Sequence, residues 1–385
     1  MAVIITDAHY ITALTAVRAL GRAGVPTRVV ADRSRPAGHA IAAHSRWATQ
    51  ARWLPAAAAD PGAFLAGVRE LAEPGDVILP VGLATLEFLA ARPDALPGVD
   101  RLLPAVESLE VANDTGALLA RAAAAGVPVP ADRSPAPDEP LDRWADRLRL
   151  PVVVKLRAGE QLGLPARRRY RICTTPLQAL EAYREMDTLQ PRPLVQAYVS
   201  GGGFGVEAVY DRQGRPAVWF CHHRLREYPP SGGPSCLAES FLDPELRDVG
   251  LRLLDALDWR GVAMVEFKQD ADGSYRLMEI NPRLWGSLPL AVAAGVNVPL
   301  AWYLAARGEP VEPVAYRAGV RVRFTPQYVL SLPGYWRRTR ARGRLLGDWL
   351  GGFAPGVHDA VWDRGDLRSS WRYVVRLVGR RRQQP

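Results

Sequence analysis

The sequence predicts an α/β protein that begins with a doubly wound parallel domain and continues into a region of mixed α and β structure. Residues 3–30 have the pattern of a strand, a helix and a strand, and residues 76–91 add a further strand and helix. Strands that alternate with helices are typical of a parallel sheet with helices on both faces. Residues 264–283 instead predict two strands joined by a tight turn, which requires antiparallel pairing.

The first domain is expected to span residues 1–110. In its first helix, Leu14, Val17 and Leu20 recur at the spacing of one buried helical face. The turn that follows the first strand, Asp7-Ala-His-Tyr10, lacks the GxGxxG fingerprint, so no dinucleotide site is predicted there. Buried strands are predicted at 3–6, 27–30 and 76–81, and helices at 12–23, 62–73 and 85–91.

The middle of the chain contains a lysine at the end of an apolar strand. Lys155 ends the run Leu150-Pro-Val-Val-Val, and a buried ammonium group requires an anionic partner. A lysine that simply reaches solvent at a strand end is the alternative. Around it, the sequence predicts a helix at 111–126, a loop at 157–169, strands at 193–199 and 206–210 with a glycine hinge between them, and helices at 243–258 and 299–306.

Composition indicates a globular protein with room for two or three domains. Hydrophobic residues make up 48% of the 385, and no apolar stretch reaches the roughly 18 residues that predict a transmembrane helix. The N-terminus lacks the basic start and cleavage site of a signal peptide. Cys173, Cys221 and Cys236 show no CxxC spacing, which predicts reduced thiols, a cytoplasmic protein and no zinc site.

The positive charge is concentrated at the C-terminus. From Arg317 onward the chain has 15 arginines against four aspartates, so residues 313–385 are expected to form a basic extension. Trp371, Val374, Val375 and Val378 fall on one helical face of it. This pattern suits peripheral contact with an anionic membrane surface, an acidic substrate or nucleic acid; a docking helix with a solvated basic end is the alternative. Because no nucleic-acid motif accompanies it, nucleic acid is not an expected partner.

The predicted hairpin at 264–283 places three oxygen-bearing side chains together. Glu279 and Asn281 are two positions apart and share a face of one strand, and pairing across the turn brings Glu266 opposite them. Two carboxylates and an amide suit Mg²⁺, which usually shares its remaining positions with water and substrate phosphates. A solvated polar edge on an ordinary hairpin is the alternative.

This segment resembles the metal-binding signature of the ATP-grasp superfamily, in its carboxylate–amine ligase-like branch. The resemblance rests on Glu266 followed by Glu279-Ile-Asn-Pro-Arg283, is supported by Leu225–Gly233 and Leu284–Pro289, and covers residues from about 105 to 310. It implies a two-lobed ATP-grasp fold after the first domain, with lobes at 111–190 and 191–312. Family members often have lysine where Thr115 stands, so no role is carried to Thr115. They commonly have glutamate where Gln196 stands, but glutamine can still accept a hydrogen bond.

The resemblance also implies roles for particular residues. Glu266, Glu279 and Asn281 would hold Mg²⁺, with Mn²⁺ as a substitute, while Arg283 and Arg224 or Arg226 would contact the transferred phosphoryl group. Lys155 would contact the α- and β-phosphates of ATP, beneath the loop that contains Arg167, Arg168 and Arg169, and the backbone of Ser231–Gly233 would approach an anion. The remaining expected nucleotide contacts are Gln196, Ala197, Tyr198 and Val199 at the adenine, Glu207 and His223 near the ribose, Lys268, and Met278 as an apolar wall.

The expected reaction is the ATP-dependent activation of a small-molecule carboxylate as an acyl phosphate, followed by attack of an amine. Two other functions stay open: a phosphotransferase on the same fold, and a non-catalytic nucleotide-binding protein that docks through its basic end. The sequence does not identify the carboxylate or the amine. Dimers are frequent in the family, so a homodimer is also open.

Overall fold

The computed structural model describes residues 1–159, 162–164, 166–230 and 233–382, although not the side chains of residues 166, 167 and 378–382. Its strands form a four-stranded, a three-stranded and a seven-stranded sheet. The first sheet is parallel and the second is antiparallel, and the third is antiparallel except at its last pair. The predicted fold class, an α/β domain followed by two α+β lobes, is confirmed.

The N-terminal domain is built on the parallel sheet, in the order β3-β2-β1-β4. The strand β3 was not predicted, because in this edge strand only Leu54 is buried and the alternation of apolar residues is lost. The elements are β1 (Val3–Ile5), α1 (Ile11–Arg22), β2 (Thr27–Asp32), β3 (Ala48–Leu54), α2 (Pro61–Leu71), β4 (Val77–Leu79) and α3 (Leu83–Ala90), with short 3-10 turns at Ala37–His39 and Ile41–His44.

The helix predicted at 111–126 is present over residues 111–113 and 115–124, but it is divided between two short helices. They are α4 (Val106–Asn113) and α5 (Thr115–Ala124). Asp114 separates them because its side chain accepts a hydrogen bond from the amide of Ala117, which caps α5. Leu109 of α4 and Leu118 of α5 share a core with the seven-stranded sheet, so these helices support the larger lobe rather than the predicted first lobe.

The smaller lobe carries the three-stranded sheet, in the order β6-β5-β7. Leu194 of its last strand pairs with Lys155, so the predicted division at residues 190 and 191 falls before the end of this lobe. The elements are α6 (Leu141–Asp146), β5 (Val152–Lys155), α7 (Ala166–Arg169), β6 (Tyr170–Cys173), α8 (Pro176–Leu189) and β7 (Leu194–Ala197).

The larger lobe carries the seven-stranded sheet, in the order β12-β11-β8-β9-β10-β13-β14. One face packs on α5 and α9, and the other shares its core with the N-terminal domain, α10 and α11. The elements of the lobe are β8 (Gly203–Tyr210), β9 (Pro216–Glu227), β10 (Ser235–Phe241), α9 (Pro244–Ala256), β11 (Gly261–Gln269), β12 (Tyr275–Asn281), α10 (Leu288–Ala294) and α11 (Val298–Ala306).

The C-terminal residues contribute to this same sheet. Strand β13 pairs with β10, and β14 pairs with β13, while the last helix packs on the N-terminal domain. The elements are β13 (Arg321–Arg323), α12 (Thr325–Arg338), α13 (Arg342–Gly351), β14 (Val357–Asp359) and α14 (Leu367–Arg382). Within the described residues, no single helix is long and apolar enough to cross a membrane, and α10 with α11 meets that test only as a pair bent by 94°.

Candidate active site

The hairpin of β11 and β12 brings its three oxygen-bearing side chains together. Glu266 pairs directly with Glu279, and Met264 pairs with Asn281. The Nδ2 group of Asn281 donates a hydrogen bond to Oε1 of Glu279 at 3.1 Å. Two carboxylates and an amide oxygen therefore lie at one end of the sheet, on the side that faces the smaller lobe.

A β-bulge in β12 determines how Glu279 is presented. The register passes from Glu266 opposite Glu279 to Phe267 opposite Leu277, which leaves Met278 as the extra residue. As a result, Leu277 is buried while Met278 and Glu279 both lie outside the core. Met278 is therefore partly exposed next to the carboxylate, where an apolar wall was expected.

Arg224 reaches Glu266 from a strand that is not its neighbour. Its Nη1 donates to Oε1 of Glu266 at 2.7 Å and its Nη2 donates to Oε2. Strand β8 lies between them, and the guanidinium stem crosses it at Gly203, where a Cβ atom would lie 3.0 Å from Cδ of Arg224. The absence of a side chain at Gly203 thus permits a two-point ion pair across three strands.

The charges at the site strongly influence one another. Burial, and then the charge of Glu266, raise the pKa of Glu279 from 4.5 to about 7. The Glu279 side chain still reaches the solvent of the cleft. A cation bound between the two carboxylates would offset the repulsion by Glu266 and so lower the pKa of Glu279. Burial lowers the pKa of Lys155 to about 8, against the opposing effects of Glu279 and Glu266. Lys155 belongs to the smaller lobe, so these interactions cross the cleft.

Arg224 is held in its charged form. Burial acts to lower the pKa of its guanidinium, but the charge of Glu266 and the hydrogen bonds to it prevail, and the net shift is upward. Glu227 adds a further carboxylate 3.8 Å from Nη1 of Arg224. Glu266 is thus held in place by Arg224, whereas Glu279 makes no ion pair among the described residues.

The donor set fits magnesium rather than a metal enclosed by protein ligands. Within the described residues, no group of three or more His, Cys, Asp or Glu side chains is placed to hold a metal ion. Glu266, Glu279 and Asn281 supply two carboxylates and one amide, which leaves coordination positions for water and phosphate oxygens. These three residues would hold Mg²⁺ and the phosphates together.

The hinge between the lobes contacts the hairpin through Lys268. Its Nζ donates to the carbonyl oxygen of Val199 at 3.3 Å and lies 5.4 Å from the ring centroid of Tyr198. The amides of Ala197 and Tyr198 bond to Ala131 and Pro151, respectively. Gln196, expected beside adenine, is buried in β7 opposite Val153. The structure therefore brings Lys268 of β11 against Tyr198 and Val199 of the expected hinge.

Glu227 and Tyr170 belong to the site but were not predicted. Burial, partly opposed by Arg224, and the charge of Glu266 raise the pKa of Glu227. Burial, and then the charge of Glu227, raise the pKa of Tyr170 in the smaller lobe. The sequence contains one signal for Glu227, since an acidic residue stands next to two arginines at a strand end. The sequence around Tyr170 contains no pattern that indicates a site residue.

The structure does not bring three predicted nucleotide or phosphate contacts to the cleft: Arg226, His223 and Glu207. Arg226 lies under α12, with its guanidinium 5.1 Å from the ring of Tyr335. His223 faces away from Glu266 because strand neighbours alternate, and it stacks on Phe204 at 4.4 Å.

Glu207, expected near the ribose, is fully buried. It accepts a hydrogen bond from Ser287 at 2.9 Å, and Nδ1 of His222 lies 2.9 Å from its Oε1. The segment that follows Asn281 covers it.

Two predicted anion contacts lie outside the residues that the structure describes. Ser231 and Gly232 are not among the described residues, and neither is the side chain of Arg167. Arg169 is described, and its Nε donates to the carbonyl of Leu164 at 2.6 Å. Arg168 is exposed.

A cavity of about 400 Å³ lies in the N-terminal domain, next to this site. It opens at the carboxyl ends of β1, β2 and β4, which is where parallel α/β sheets usually bind ligands. Asp7, Asp32 and Arg35 line it, and of its described lining residues Arg283 alone comes from the larger lobe. Arg283 is two positions after Asn281, so the cavity begins where the candidate metal ligands end.

The fold and site define a class of protein: a parallel α/β domain followed by two lobes that face each other across an acidic, lysine-bearing cleft. Residues 194–327 match the family model for an ATP-grasp protein in the biosynthetic pathway with the Ter operon. Over this segment the chain is therefore similar to the ATP-grasp family. A search of curated proteins finds no match to this chain.

Solved structures with the same fold are distant in sequence. Biotin carboxylase from Campylobacter jejuni, in complex with β-γ-ATP, aligns with a TM-score of 0.64 and 18% identity, over 80% of this chain and 72% of that one. L-amino acid ligase from Bacillus licheniformis aligns with a TM-score of 0.57 and 18% identity, over 79% and 73% of the two chains. The biotin carboxylase domain of the Hydrogenobacter thermophilus 2-oxoglutarate carboxylase, in complex with MgADP and bicarbonate, aligns with a TM-score of 0.60 and 17% identity, over 83% and 73%.

Proposed function

We propose that this protein is an ATP-dependent ligase of the carboxylate–amine type, which releases ADP and phosphate. One observation carries the proposal: Glu266 and Glu279 face Lys155 across the cleft, and Arg283 joins this cleft to a ligand-sized cavity. The amino acid ligase and carboxylase folds found among similar structures agree with this reaction type.

The residues on the two sides of the cleft bind different parts of Mg²⁺-ATP. Lys155 binds the α- and β-phosphates of ATP, and the hinge from Gln196 to Val199, with Lys268, holds the base. Glu266, Glu279 and Asn281 hold Mg²⁺, which when bound neutralises phosphate charge. Arg224 fixes Glu266 in position, since it makes two hydrogen bonds to that carboxylate.

The cavity and Arg283 position the second substrate. Arg283 binds the substrate carboxylate at the mouth of the cavity, and the remainder of the substrate occupies the N-terminal domain. The carboxylate oxygen attacks the γ-phosphorus, which gives an acyl phosphate and ADP. A neutral amine then attacks the acyl carbon, phosphate leaves, and the amine loses its proton to solvent. Positioning and charge neutralisation carry both steps, so no nucleophilic side chain is needed.

The cytoplasm is the proposed location. Cys173, Cys221 and Cys236 are all free and buried, which agrees with a reducing compartment.

The test measures the release of ADP and of phosphate from Mg²⁺-ATP, with pooled amino acids and small carboxylic acids. Equal ADP and phosphate that require both a carboxylate and an amine support the ligase. ADP without phosphate indicates a phosphotransferase, and tight ATP binding without turnover in any pool favours a non-catalytic role. Absence of ATP binding rejects the proposal.

Two variants test whether the activity depends on the residues of the cleft. Glu279→Gln keeps the shape of the side chain but removes its charge, and we expect turnover to fall by about a hundredfold or more. Glu110→Gln is the matched control, because Glu110 is exposed on α4 and no hydrogen bond or ion pair of its side chain is found among the described residues. Equal loss in both variants would remove the argument for the metal ligands.

A further inference from the structure

Helix α14 docks on the N-terminal domain through apolar residues that join its core and through buried polar contacts. Arg18 of α1 donates through Nε to Oδ2 of Asp366 and through Nη2 to Oγ of Ser370, each at 2.9 Å. Arg376 donates to the carbonyl oxygen of His9. These side chains of the docking face are almost completely buried, although they are the kinds of residue that usually face water.

The opposite side of α14 exposes apolar residues. Leu367, Trp371 and Val375 are spaced four apart and therefore form one stripe along the helix. Their exposed fractions are 58%, 61% and 50%. The docking face has its own apolar contacts, from Tyr373, Val374 and Leu377, so this stripe is a second apolar surface that the chain leaves uncovered. A helix that stabilised only this chain would have one apolar face rather than two, which indicates that the exposed stripe has an external partner.

A second stripe of arginines runs beside the apolar one. Arg368 and Arg372 are four residues apart on α14 and are exposed, and Arg364 is exposed in the turn just before the helix. Within the described part of the chain, no ion pair is found for any of them. The nearby acids are already used, since Asp363 pairs with Arg22 and Asp366 pairs with Arg18. This surface therefore carries unneutralised positive charge next to exposed apolar groups.

We propose that this face of α14 binds the surface of an anionic lipid bilayer. Tryptophan and aliphatic side chains enter the boundary between headgroups and acyl chains, and the arginines contact anionic headgroups. A second copy of this chain is a poorer occupant, because a symmetric contact through α14 would bring its positive stripe against the same stripe of the other copy. The proposal does not depend on the reaction proposed for the cleft.

The experiment is co-sedimentation of the full-length protein with vesicles. Vesicles of phosphatidylcholine alone are compared with vesicles that also contain phosphatidylglycerol, at low and high salt. We expect binding to the anionic vesicles only, and weaker binding at high salt because the attraction is screened. Urea unfolding followed by tryptophan fluorescence serves as the measure of folding.

Three variants separate the contributions to binding. Leu367→Ala with Trp371→Ala should weaken vesicle binding by about tenfold or more, since apolar area is no longer buried. Arg368→Gln with Arg372→Gln should weaken it by about fivefold for each charge removed. The matched control is Leu177→Ala in α8, a leucine that is 63% exposed on a different surface, and it should bind as the unaltered protein does.

Other outcomes overturn the proposal. They are equal binding to neutral and anionic vesicles, no binding to either, or equal loss in the Leu177 control. A concentration-dependent dimer that is lost on Trp371→Ala would show that the stripe contacts a second copy instead.

Discussion

Replacing Arg224 with glutamine should destabilise the protein, because it leaves the Glu266 carboxylate without its partner. The exposed fractions of the two side chains are only 13% and 16%. Removing one partner of a buried ion pair costs about 3 to 5 kcal/mol. Lys155 still acts on Glu266 across the cleft, so we expect a loss of about 3 kcal/mol, at the lower end of that range.

A double-mutant cycle isolates the pair. Glu266→Gln should cost about 2 kcal/mol, since Glu227 remains 3.8 Å from Arg224. The protein with both substitutions should lose about 3 kcal/mol, which is about 2 kcal/mol less than the sum of the single losses. Urea unfolding followed by tryptophan fluorescence is a suitable assay.

The matched control replaces an arginine of an exposed pair. Arg184 lies 3.1 Å from Asp142, with exposed fractions of 58% and 78%, so Arg184→Gln should cost no more than about 0.5 kcal/mol. Mg²⁺ should restore part of the stability of Arg224→Gln and none of the control's, because a cation replaces the lost charge. Additive losses in the cycle, or a cost below about 1 kcal/mol for Arg224→Gln, would refute the reasoning.

Three further predictions concern single sites. In the folded, metal-free protein the pKa of Glu279 is about 7, against an ordinary value of 4.5. The folded state therefore holds the proton more tightly than the unfolded state, and stability should fall as the pH rises from 4.5 through 7. Urea unfolding at several pH values should show a smaller dependence on pH for Glu279→Gln. Gly203→Ala should displace Arg224 and lower ATP turnover by about tenfold, whereas Gly343→Ala, which meets no atom within 4 Å, should leave turnover unchanged. Asp366→Asn should leave buried Arg18 with Asp363 alone as an ionic partner, at 3.7 Å, and should cost about 2 kcal/mol. It should also make α14 more sensitive to limited proteolysis; unchanged cleavage would contradict the docking described for this helix.

The grouping of Glu266, Glu279 and Asn281 was predictable because it depends on short-range rules. A tight turn and the alternation of side chains along each strand suffice to place them together. The bulge at Met278 was not predictable in the same way, because a bulge depends on packing beneath the strand and interrupts the alternation on which the prediction relied.

The contact between Arg224 and Glu266 was beyond sequence reasoning for a different reason. It requires the strand order, since Arg224 acts across β8. The same ambiguity explains His223: in a strand, one of two adjacent histidines faces the cleft side, and only the register of the sheet decides which. The register selects His222 and Arg224, and leaves His223 against Phe204.

Glu207 and Glu266 illustrate why residue type alone does not assign a role. Gly205 and Glu207 lie on the same face of β8, and Glu266 pairs with Gly205, so both carboxylates lie on one side of the sheet. Glu207 is covered by the segment that includes Ser287, whereas Glu266 lies where the cleft opens. Depth along the strand therefore separates a structural carboxylate from a candidate metal ligand. That depth is set by the chain after Asn281, which leaves the sheet, brings Arg283 to the cavity and buries Glu207 within a few residues.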